Sequence, residues 1–553
     1  MYFSRLTYII LKNKEMKKIL LPLMFLLVQT IVFGQNAKKT NVLFIAIDDL
    51  KPILGCYGNN LVKTPNIDRL AKMGTVFLNN YCQQAVCGPT RASVMTGTRP
   101  DVTKVWDLKT KMREANPATL TLPEYFISQG YVTAGVGKIY HPSCADKKFD
   151  GPSWSIPYIV PDESDYANGL GAPAYKSYQA PALKNLVAEG MKYKKNKKGE
   201  GREDETESSS SKPGPATECL DLPDAAYEDG VSAILAKKEI IELSQKNKPF
   251  FMAVGFHKPH LPFVAPKKYW DMYNREDMPM AEFQEHSKNE VFLAYETSGE
   301  LRSYTDIPQY TTFSKDQLRA GLKPEKQKEL IHGYYAAVSY VDAQVGILLN
   351  TLDSLGTLNN TIIVLWGDHG WHLGDHDLWG KHTNFEQATR APLIIAAPGF
   401  KGAKTTSMSE HIDIFPTICD LAKVGLPKTL QGKSLTPIMK NPKAKVIEYS
   451  MSQYPRRIKS GEYKKLEEKG FYTSNNVMGY SLRNEKYRIT LWLNNKFTSE
   501  EHFTEDRIYA VEMYDYVKDP LEKVNVANEK EYATIAADLK KQIVAFLNSQ
   551  EKK

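Results

Sequence analysis

Polar side chains capable of chemistry follow four apolar runs of this 553-residue sequence. Each set comes directly after its run: Asp48-Asp49, then Lys138 with His141, then His257 with Lys258 and His260, then Asp368-His369. A single aspartate in such a position most often caps a turn. In an open α/β sheet, however, ligands bind beyond the carboxyl ends of the strands. The four sets together therefore favour one site at that edge of a sheet.

Three of these residues are carboxylates that would bind a metal. Asp48, Asp49 and Asp368, with His369 beside them, form an oxygen-rich cluster that suits a hard divalent cation such as Ca²⁺ or Mg²⁺. Structural zinc instead uses cysteine or several histidines. Three carboxylates repel one another unless positive charge lies among them. The alternative is that each aspartate caps its own turn.

The segment Cys87-Gly88-Pro89-Thr90-Arg91 carries the most specific signal. Pro89 fits the first turn of a helix that we expect to begin there and run to Gly97. Cys87 would then lie at a helix N-terminus, where backbone N–H groups attract an anion. A reactive thiol is the alternative, but Arg91 lies one helical turn further on and strengthens the case for an anion site.

The hydrophobic pattern predicts an α/β fold. Five apolar, β-branched runs indicate buried strands of a parallel sheet at residues 41–47, 131–135, 249–254, 361–365 and 392–396. Helical patterns span residues 66–72 and 324–355. After about residue 430, aromatic strands near residues 480–483 and 487–492 precede a helix at 531–547. We expect a catalytic domain at 35–430 and a smaller C-terminal α+β subdomain with an antiparallel sheet at 431–553.

Composition narrows the class of protein. Hydrophobic residues make up 42% and charged residues 25% of the chain, as in a large soluble globular protein. The six cysteines include no CxxC pair; a Cys144–Cys219 disulfide is possible but does not follow from the sequence. Residues 192–215 pass from a basic to an acidic cluster and then to serines, which predicts a flexible loop.

The N-terminal 34 residues have the pattern of a secretory signal. Basic residues precede the apolar run Ile19 to Phe33, and Gly34 follows it. The run is short for a transmembrane span, so we expect cleavage near Gly34 and no stable membrane insertion. The segment holds five basic residues and one acid, so its removal lowers the net charge from +8 to +4. Such a charge does not favour nucleic-acid binding.

Taken together, the motifs resemble the type I sulfatases of the alkaline phosphatase superfamily, whose signature is Cys-x-Pro-x-Arg, and most of all their iduronate-2-sulfatase branch. The resemblance covers nearly the whole chain after the signal segment. It rests on Ala46-Ile-Asp-Asp-Leu50, Gln83-Gln-Ala-Val-Cys-Gly-Pro-Thr-Arg91, Gly137-Lys-Ile-Tyr-His-Pro142, Ala253-Val-Gly-Phe-His-Lys-Pro-His260, Asp368-His-Gly-Trp371 and Gly380-Lys-His-Thr-Asn-Phe385. It implies an alkaline phosphatase-like α/β fold, with a large, mixed, mainly parallel sheet between helices, and sulfuric ester hydrolase activity.

The resemblance also implies the parts of the site. Cys87 would be oxidised to formylglycine, whose hydrate is the nucleophile, by a separate formylglycine-generating enzyme, and Arg91 would stabilise that hydrate. Asp48, Asp49, Asp368 and His369 would bind one Ca²⁺ together with the residue 87 oxygen. Lys138 and Lys381 would supply positive charge to the sulfuryl oxygens. His141 is the candidate base and His257 the candidate acid, with His382 and His260 as alternatives.

The expected substrate is a sulfated oligosaccharide or polysaccharide outside the cytoplasm, in the periplasm or secreted medium. The resembling branch acts on 2-O-sulfated uronic acids, so Lys258, Arg456 and Arg483 are candidates to bind a sugar carboxylate. The sequence does not choose between a glycosaminoglycan and an algal polysaccharide such as ulvan. Two other functions stay open: a phosphohydrolase of the same superfamily, and a non-catalytic glycan-binding protein in which Cys87 remains a thiol.

Overall fold

The computed structural model describes residues 39–145, 147–187, 214–308, 321–456, 477–494 and 505–550. The strands in these residues form three sheets. In chain order the strands are β1 Asn41–Ile47, β2 Thr75–Tyr81, β3 Val132–Gly137, β4 Thr217–Leu220, β5 Phe250–Phe256, β6 Phe263–Pro266, β7 Thr361–Gly367, β8 Leu393–Ala396, β9 Ala403–Glu410, β10 Ser450–Arg456, β11 Val477–Arg483, β12 Tyr487–Asn494 and β13 Ile508–Asp515.

The longer helices are α1 Pro65–Met73, α2 Cys87–Thr96, α3 Leu122–Ser128, α4 Glu228–Ser244, α5 Pro324–Ser354, α6 Ile414–Leu421 and α7 Ala533–Gln550. Helices of four or five residues lie at Pro100–Thr103, Met112–Ala115, Lys147–Asp150, Lys267–Trp270, Glu386–Thr389 and Thr436–Lys440. Within the described residues, no helix is long and apolar enough to cross a membrane.

The central sheet has seven strands in the order β3-β5-β1-β7-β8-β2-β9. The neighbours β3, β5, β1 and β7 are parallel, as expected, and β2 pairs parallel with β9. The prediction that residues 392–396 join as a parallel strand is wrong, because β8 runs antiparallel to both β7 and β2. The sheet is therefore mixed and mainly parallel, as the resemblance implied.

Side chains of β1 alternate between the two faces of this sheet. Leu43, Ile45 and Ile47 belong to a core that includes buried side chains of α1, α4 and α5. Val42, Phe44 and Ala46 belong to a second core that includes buried side chains of α2, α3 and α6. Helices thus cover both faces, and the strand ends at one edge are left for the site.

The predicted C-terminal antiparallel sheet is confirmed. Strands β10, β11, β12 and β13 pair in that order, each antiparallel to its neighbour. Leu539, Ile543 and Leu547 of α7 belong to the apolar cluster of this sheet. Residues from Asn41 onward form one compact unit, and the domain boundary near residue 430 stays a prediction.

Two other expectations concern cysteines and segments outside the sheets. All six cysteines are free, so the possible Cys144–Cys219 disulfide is absent. The predicted signal segment, residues 1–34, lies outside the described residues. So does the predicted loop at 192–215, apart from its last two residues.

Candidate active site

Asp48 and Asp368 extend the strands that precede them. The Asp48 N–H donates to the Phe256 carbonyl at 3.1 Å, and the Asp368 N–H donates to the Ile47 carbonyl at 3.2 Å. Asp49 then turns the chain with φ 56°, a left-handed conformation that aspartate tolerates better than most residues. Its carbonyl accepts a 2.5 Å hydrogen bond from the Tyr334 hydroxyl of α5. This contact fixes the turn that carries both aspartates.

Cys87 lies in the first turn of α2, so the helix begins two residues earlier than the expected start at Pro89. All ten residues of α2 are buried. The Cys87 Sγ atom lies 3.4 Å from His369 Nε2, 3.6 Å from Lys381 Nζ and 3.9 Å from Lys138 Nζ. Burial, reinforced by Asp48, raises the pKa of the Cys87 thiol well above its ordinary value. A raised pKa disfavours the thiolate, which is the form in which a reactive thiol acts.

Two lysines pair with the two aspartates of the turn. Lys138 Nζ lies 2.5 Å from Asp48 Oδ2, and Lys381 Nζ lies 2.9 Å from Asp49 Oδ1. Although burial pushes the pKa of Asp48 upward, Lys138 and Arg91 outweigh it and hold that pKa well below the ordinary value. For Asp49, burial outweighs Lys381 and raises the pKa to about 7.

Arg91 contacts groups at the ends of three strands of the central sheet. Its Nη2 lies 3.1 Å from Asp48 Oδ1 and its Nε lies 3.0 Å from Asp368 Oδ2. Its Nη1 donates to the carbonyls of Lys138 and Ile139. The guanidinium thus satisfies carboxylates and carbonyls from three strand ends, which is the geometry a planar five-donor group allows.

The donor set fits a hard divalent cation. Ligand atoms of Asp48, Asp49, Cys87 and His260 lie within 4.8 Å of one another, and so do those of Cys87, Asp368 and His369. The buried carboxyl groups of Asp48, Asp49, Asp368 and Glu300 lie next to the buried cations Arg91, Lys138 and Lys381. A divalent cation would add positive charge among the carboxylate oxygens.

Glu300 is a buried acid in the site that sequence reasoning missed. Its Oε2 lies 3.3 Å from Lys381 Nζ, and its Oε1 lies 3.1 Å from His260 Nε2. The residue stands in a turn after the irregular stretch 279–299, where neither periodicity nor a motif marks it. An acid forty residues beyond the nearest recognised motif, which ends at His260, carries no signal in a single sequence.

The predicted histidines take different positions. A ring nitrogen of His260 belongs to the cluster around Cys87, whereas His257 Nε2 lies 3.3 Å from Glu228 Oε1. His141 Nδ1 lies 2.7 Å from Ser143 Oγ, and the His382 ring lies 6.0 Å from that of Tyr454. The roles of His141 and His257 as base and acid stay predictions.

Lys258, Arg456 and Arg483, the three candidates to bind a sugar carboxylate, each contact groups of the protein itself. Lys258 Nζ donates to the carbonyls of His260 and Pro262 at 2.9 and 2.8 Å. The guanidinium of Arg456 donates to three backbone carbonyls, among them that of Leu293 at 2.6 Å. Arg483 Nε lies 3.0 Å from Glu386 Oε2. These contacts give the three cations a structural role, and their contact with a sugar carboxylate stays a prediction.

The site joins a buried helix N-terminus, three cations and a hard-metal donor set around one side chain. Such an arrangement stabilises the charge that develops on the oxygens of a sulfuryl or phosphoryl ester. It defines the class of the protein as an ester hydrolase with an alkaline phosphatase-like fold.

Comparisons with known proteins narrow the class. Residues 40–424 match the Sulfatase family model, and residues 374–549 match the model described as N-sulphoglucosamine sulphohydrolase, C-terminal. The chain therefore belongs to the sulfatase family, near the iduronate 2-sulfatase branch, and is a sulfuric ester hydrolase.

Two relatives and one solved structure illustrate the similarity. The chain is 32% identical to iduronate 2-sulfatase of Homo sapiens, over 89% of this chain and 92% of that protein. It is 31% identical to a sulfatase of Formosa agariphila, over 76% of each. The phosphonate monoester hydrolase of Agrobacterium radiobacter has the same fold, with a TM-score of 0.66 and 21% identity over 93% of this chain and 96% of that chain.

Proposed function

We propose that the protein hydrolyses sulfate esters of a sulfated polysaccharide or its oligosaccharides, with a 2-O-sulfated uronate or related sugar as substrate. The observation that carries the proposal is the environment of position 87, where the Cys87 Sγ atom has Lys381 Nζ at 3.6 Å and Lys138 Nζ at 3.9 Å. Two ammonium groups around one buried nucleophile position suit a sulfate ester, whose negative charge is shared by the terminal sulfuryl oxygens.

The proposal includes two groups that this chain would acquire. Cys87 would be oxidised to formylglycine by a separate maturation enzyme, and Asp48, Asp49, Asp368, His369 and the residue 87 oxygen would hold one Ca²⁺. When present, the hydrated formylglycine supplies a hydroxyl nucleophile and Ca²⁺ supplies positive charge beside it. Ligand atoms of Asp48, Asp49 and Cys87 lie within 4.8 Å of one another, and so do those of Cys87, Asp368 and His369, which supports this metal assignment.

The cations of the chain would act on the reacting sulfate. Lys138 and Lys381 would face the sulfuryl oxygens, where negative charge grows as the ester bond breaks. Arg91 would hold Asp48 and Asp368 in their binding positions, since it contacts both carboxylates. Exclusion of water around these buried groups strengthens each electrostatic contact.

Proton transfer would fall to two histidines. His141 is the proposed base for the second hydroxyl of residue 87. His257 is the proposed acid for the leaving sugar oxygen, and His260, a ring nitrogen of which belongs to the cluster that includes Cys87, is the alternative. When the S–O bond to the sugar breaks, that oxygen keeps the electron pair and takes a proton from the acid. An alkoxide is otherwise a poor leaving group.

The site of action would be outside the cytoplasm. The pattern of residues 1–34, a basic stretch, an apolar run and Gly34, supports export to the periplasm or medium with cleavage near Gly34. The similarity to iduronate 2-sulfatase supports a 2-O-sulfated uronate. Among polysaccharides, a glycosaminoglycan and an algal polymer such as ulvan are the two classes to compare.

The test is release of inorganic sulfate from a panel of defined sugars, namely 2-O-sulfated uronate, 2-O-sulfated xylose, 3-O-sulfated rhamnose and 6-O-sulfated hexosamine. The wild type is compared with Cys87→Ala, which removes the nucleophile, and with Cys419→Ala as a matched buried cysteine outside the site. Peptide mass spectrometry measures the conversion of Cys87 in each preparation.

The expected result is release from one 2-O-sulfated sugar by wild type and Cys419→Ala, and none by Cys87→Ala. Release from a 3-O- or 6-O-sulfated sugar would contradict the proposed substrate. Converted protein that cleaves phosphate esters and no sulfate ester would favour the phosphohydrolase alternative. Native protein with an unmodified Cys87 that binds a glycan without cleavage would favour the non-catalytic alternative.

A further inference from the structure

Lys381 lies in a segment that turns sharply at the next residue. The Thr383 N–H donates to the Lys381 carbonyl at 2.6 Å and closes a three-residue turn. Residues 381–385 belong to no helix or strand, so a regular hydrogen-bond ladder does not fix the position of the lysine. Its ammonium nevertheless lies 3.6 Å from Cys87 Sγ. Side-chain contacts must therefore hold the turn, because an active-site group is precise only when its neighbours lock it.

His372 contacts this segment on both sides of the lysine. Its backbone N–H donates to the Gly380 carbonyl at 2.8 Å, and its ring Nε2 atom lies 2.8 Å from Thr383 Oγ1. His372, Lys381 and Thr383 are all without solvent exposure. One buried side chain and its own backbone thus bracket residues 381 and 382.

The hydrogen bonds of the His372 ring have a single consistent direction. Nδ1 lies 3.1 Å from the Asp375 carbonyl, which can only accept, so Nδ1 carries the hydrogen. In the neutral ring Nε2 is then an acceptor, and the Thr383 hydroxyl donates to it. Thr383 Oγ1 in turn accepts the Phe385 N–H at 3.3 Å. Burial, together with the nearby His376, lowers the pKa of His372 well below its ordinary value, which keeps the ring neutral.

The same histidine is connected to the turn that carries the carboxylate partner of Lys381. Lys51 Nζ donates to the His372 carbonyl at 3.2 Å. The Lys51 N–H donates to the Tyr334 hydroxyl at 2.8 Å, and that hydroxyl donates to the Asp49 carbonyl. Since Asp49 Oδ1 lies 2.9 Å from Lys381 Nζ, these contacts form a closed circuit. The ammonium is held both by its carboxylate partner and by its own backbone.

We propose that His372 and Thr383 are positioning residues that hold the Lys381 ammonium beside residue 87. The inference rests on the proposed function, in which Lys381 faces the sulfuryl oxygens as the ester bond breaks. The two residues act through the backbone on either side of the lysine and not on the substrate. Loss of their hydrogen bond would leave the lysine charged but displaced, and a displacement of about 1 Å can lower a rate about 100-fold.

The variants Thr383→Val and Thr383→Ser test this role. Valine has nearly the shape of threonine but lacks the hydroxyl, whereas serine keeps it. On the sulfated sugar that the wild type cleaves, we expect Thr383→Val to lower kcat about 10- to 100-fold. KM should change less than about threefold, because the lysine meets its largest charge in the transition state. Thr383→Ser should lose less than about threefold in kcat, since the lysine keeps its position.

His372→Asn tests the same hydrogen bond from the other partner. The asparagine amide nitrogen would take the place of Nδ1, but the side chain is too short to reach Thr383. We expect a loss of kcat similar to that of Thr383→Val. The double variant should lose less than about threefold beyond the larger single loss, because both changes break one contact. Losses that multiply in the double variant would show two independent effects and contradict the inference.

The matched control is Thr417→Val in α6, outside the candidate active site. The Thr417 hydroxyl is also buried, donates to the Asp413 carbonyl at 2.5 Å and accepts the Leu435 N–H at 2.8 Å. Thermal denaturation should show similar losses of stability in Thr417→Val and Thr383→Val, whereas only Thr383→Val should lose kcat.

Conversion of Cys87 is measured in every variant. An equal loss of kcat in the control, a loss confined to KM, or full activity of Thr383→Val overturns the inference alone. Wild-type protein with converted Cys87 that releases no sulfate from any sugar of the panel overturns the proposed function. If Thr383→Val does not fold, His372→Asn decides between the same outcomes.

Discussion

Arg91 Nε donates a 3.0 Å hydrogen bond to Asp368 Oδ2 in a site where neither side chain is exposed to solvent. The same guanidinium contacts Asp48. The burial of a charge is costly unless it is paired, so the arginine and the two aspartates depend on one another. Arg91 is a partner of both carboxylates, so its removal would take a buried ion pair from each of them.

Arg91→Ala is therefore expected to lower the free energy of unfolding by about 3 to 5 kcal/mol, the cost of a broken buried ion pair. Chemical denaturation of protein without added metal measures this change. The control is Lys267→Ala, whose pair with Asp271 is exposed and should leave stability unchanged. Equal effects of the two substitutions would contradict the structural importance of the Arg91 contacts.

Ca²⁺ should stabilise the folded protein through the proposed aspartate site. A metal at one hundred times its Kd raises the free energy of unfolding by about 2.7 kcal/mol, so the melting temperature should rise when Ca²⁺ replaces EGTA. Asp49→Asn should abolish this rise, because it removes one ligand charge while asparagine tolerates the left-handed conformation of position 49. Asp375→Asn, at a carboxylate paired with Lys51, should keep the rise. A rise that persists in Asp49→Asn would remove Asp49 from the ligand set.

Gly137→Ala should disrupt the strand end that carries Lys138. At φ 78° a side chain is already strained, and its Cβ would collide with the Gly255 carbonyl oxygen of β5. We expect stability to fall by about 3 kcal/mol, the upper range for overpacking, and sulfate release to fall with it. Gly130→Ala is the control, since Gly130 has φ 85° but open space around it; its cost should be about 1 kcal/mol. Thermal denaturation of both variants is the measurement. The loss of stability in Gly130→Ala measures the backbone strain, and the additional loss in Gly137→Ala measures the collision.

Asp342 of α5 should make stability depend on pH away from the active site. It accepts hydrogen bonds from the backbone N–H groups of Asn66 and Ile67 at the start of α1. Burial raises its pKa from 3.8 to about 6 despite these bonds. The folded state thus holds the proton more tightly than the unfolded state, and this stabilisation is complete below pH 4 and disappears as the pH rises through 6.

Between pH 4 and pH 7 the unfolding free energy of the wild type should therefore fall by up to about 3 kcal/mol relative to that of Asp342→Asn. This amount follows from the difference of about two pH units between the pKa values of the folded and unfolded states. Urea denaturation of the two proteins at several pH values measures the difference. A difference in unfolding free energy that is constant over this range would show that Asp342 titrates normally in the folded protein.

The sequence determined the position of most site residues but not the direction of every strand. The run at 392–396 is a buried strand, as predicted, yet an apolar run carries no sign of chain direction, and β8 proved antiparallel. Strands β2 and β9 mix polar with apolar residues and were not recognised. Asp48, Asp49, Cys87 and Asp368 could be found because each follows a clear strand or stands in a motif.

The contacts of long side chains could not be predicted. The sequence marks Arg456 and Arg483 only as cations, and their partners are a set of carbonyls and Glu386, which come from distant segments. Glu300 stands in no motif, and only the fold brings this acid to Lys381 and His260. Pairings of this kind depend on tertiary structure, which periodicity and spacing do not encode.

The burial of helix α2 has a consequence for how the protein is made. Cys87 has no solvent exposure, and every residue of the helix that follows it is covered by other parts of the chain. Any enzyme that oxidises this thiol has to reach it before the helix closes against the sheet. The proposed oxidation of Cys87 would therefore have to precede folding, and a chain that folds first would keep its thiol and lack the proposed nucleophile.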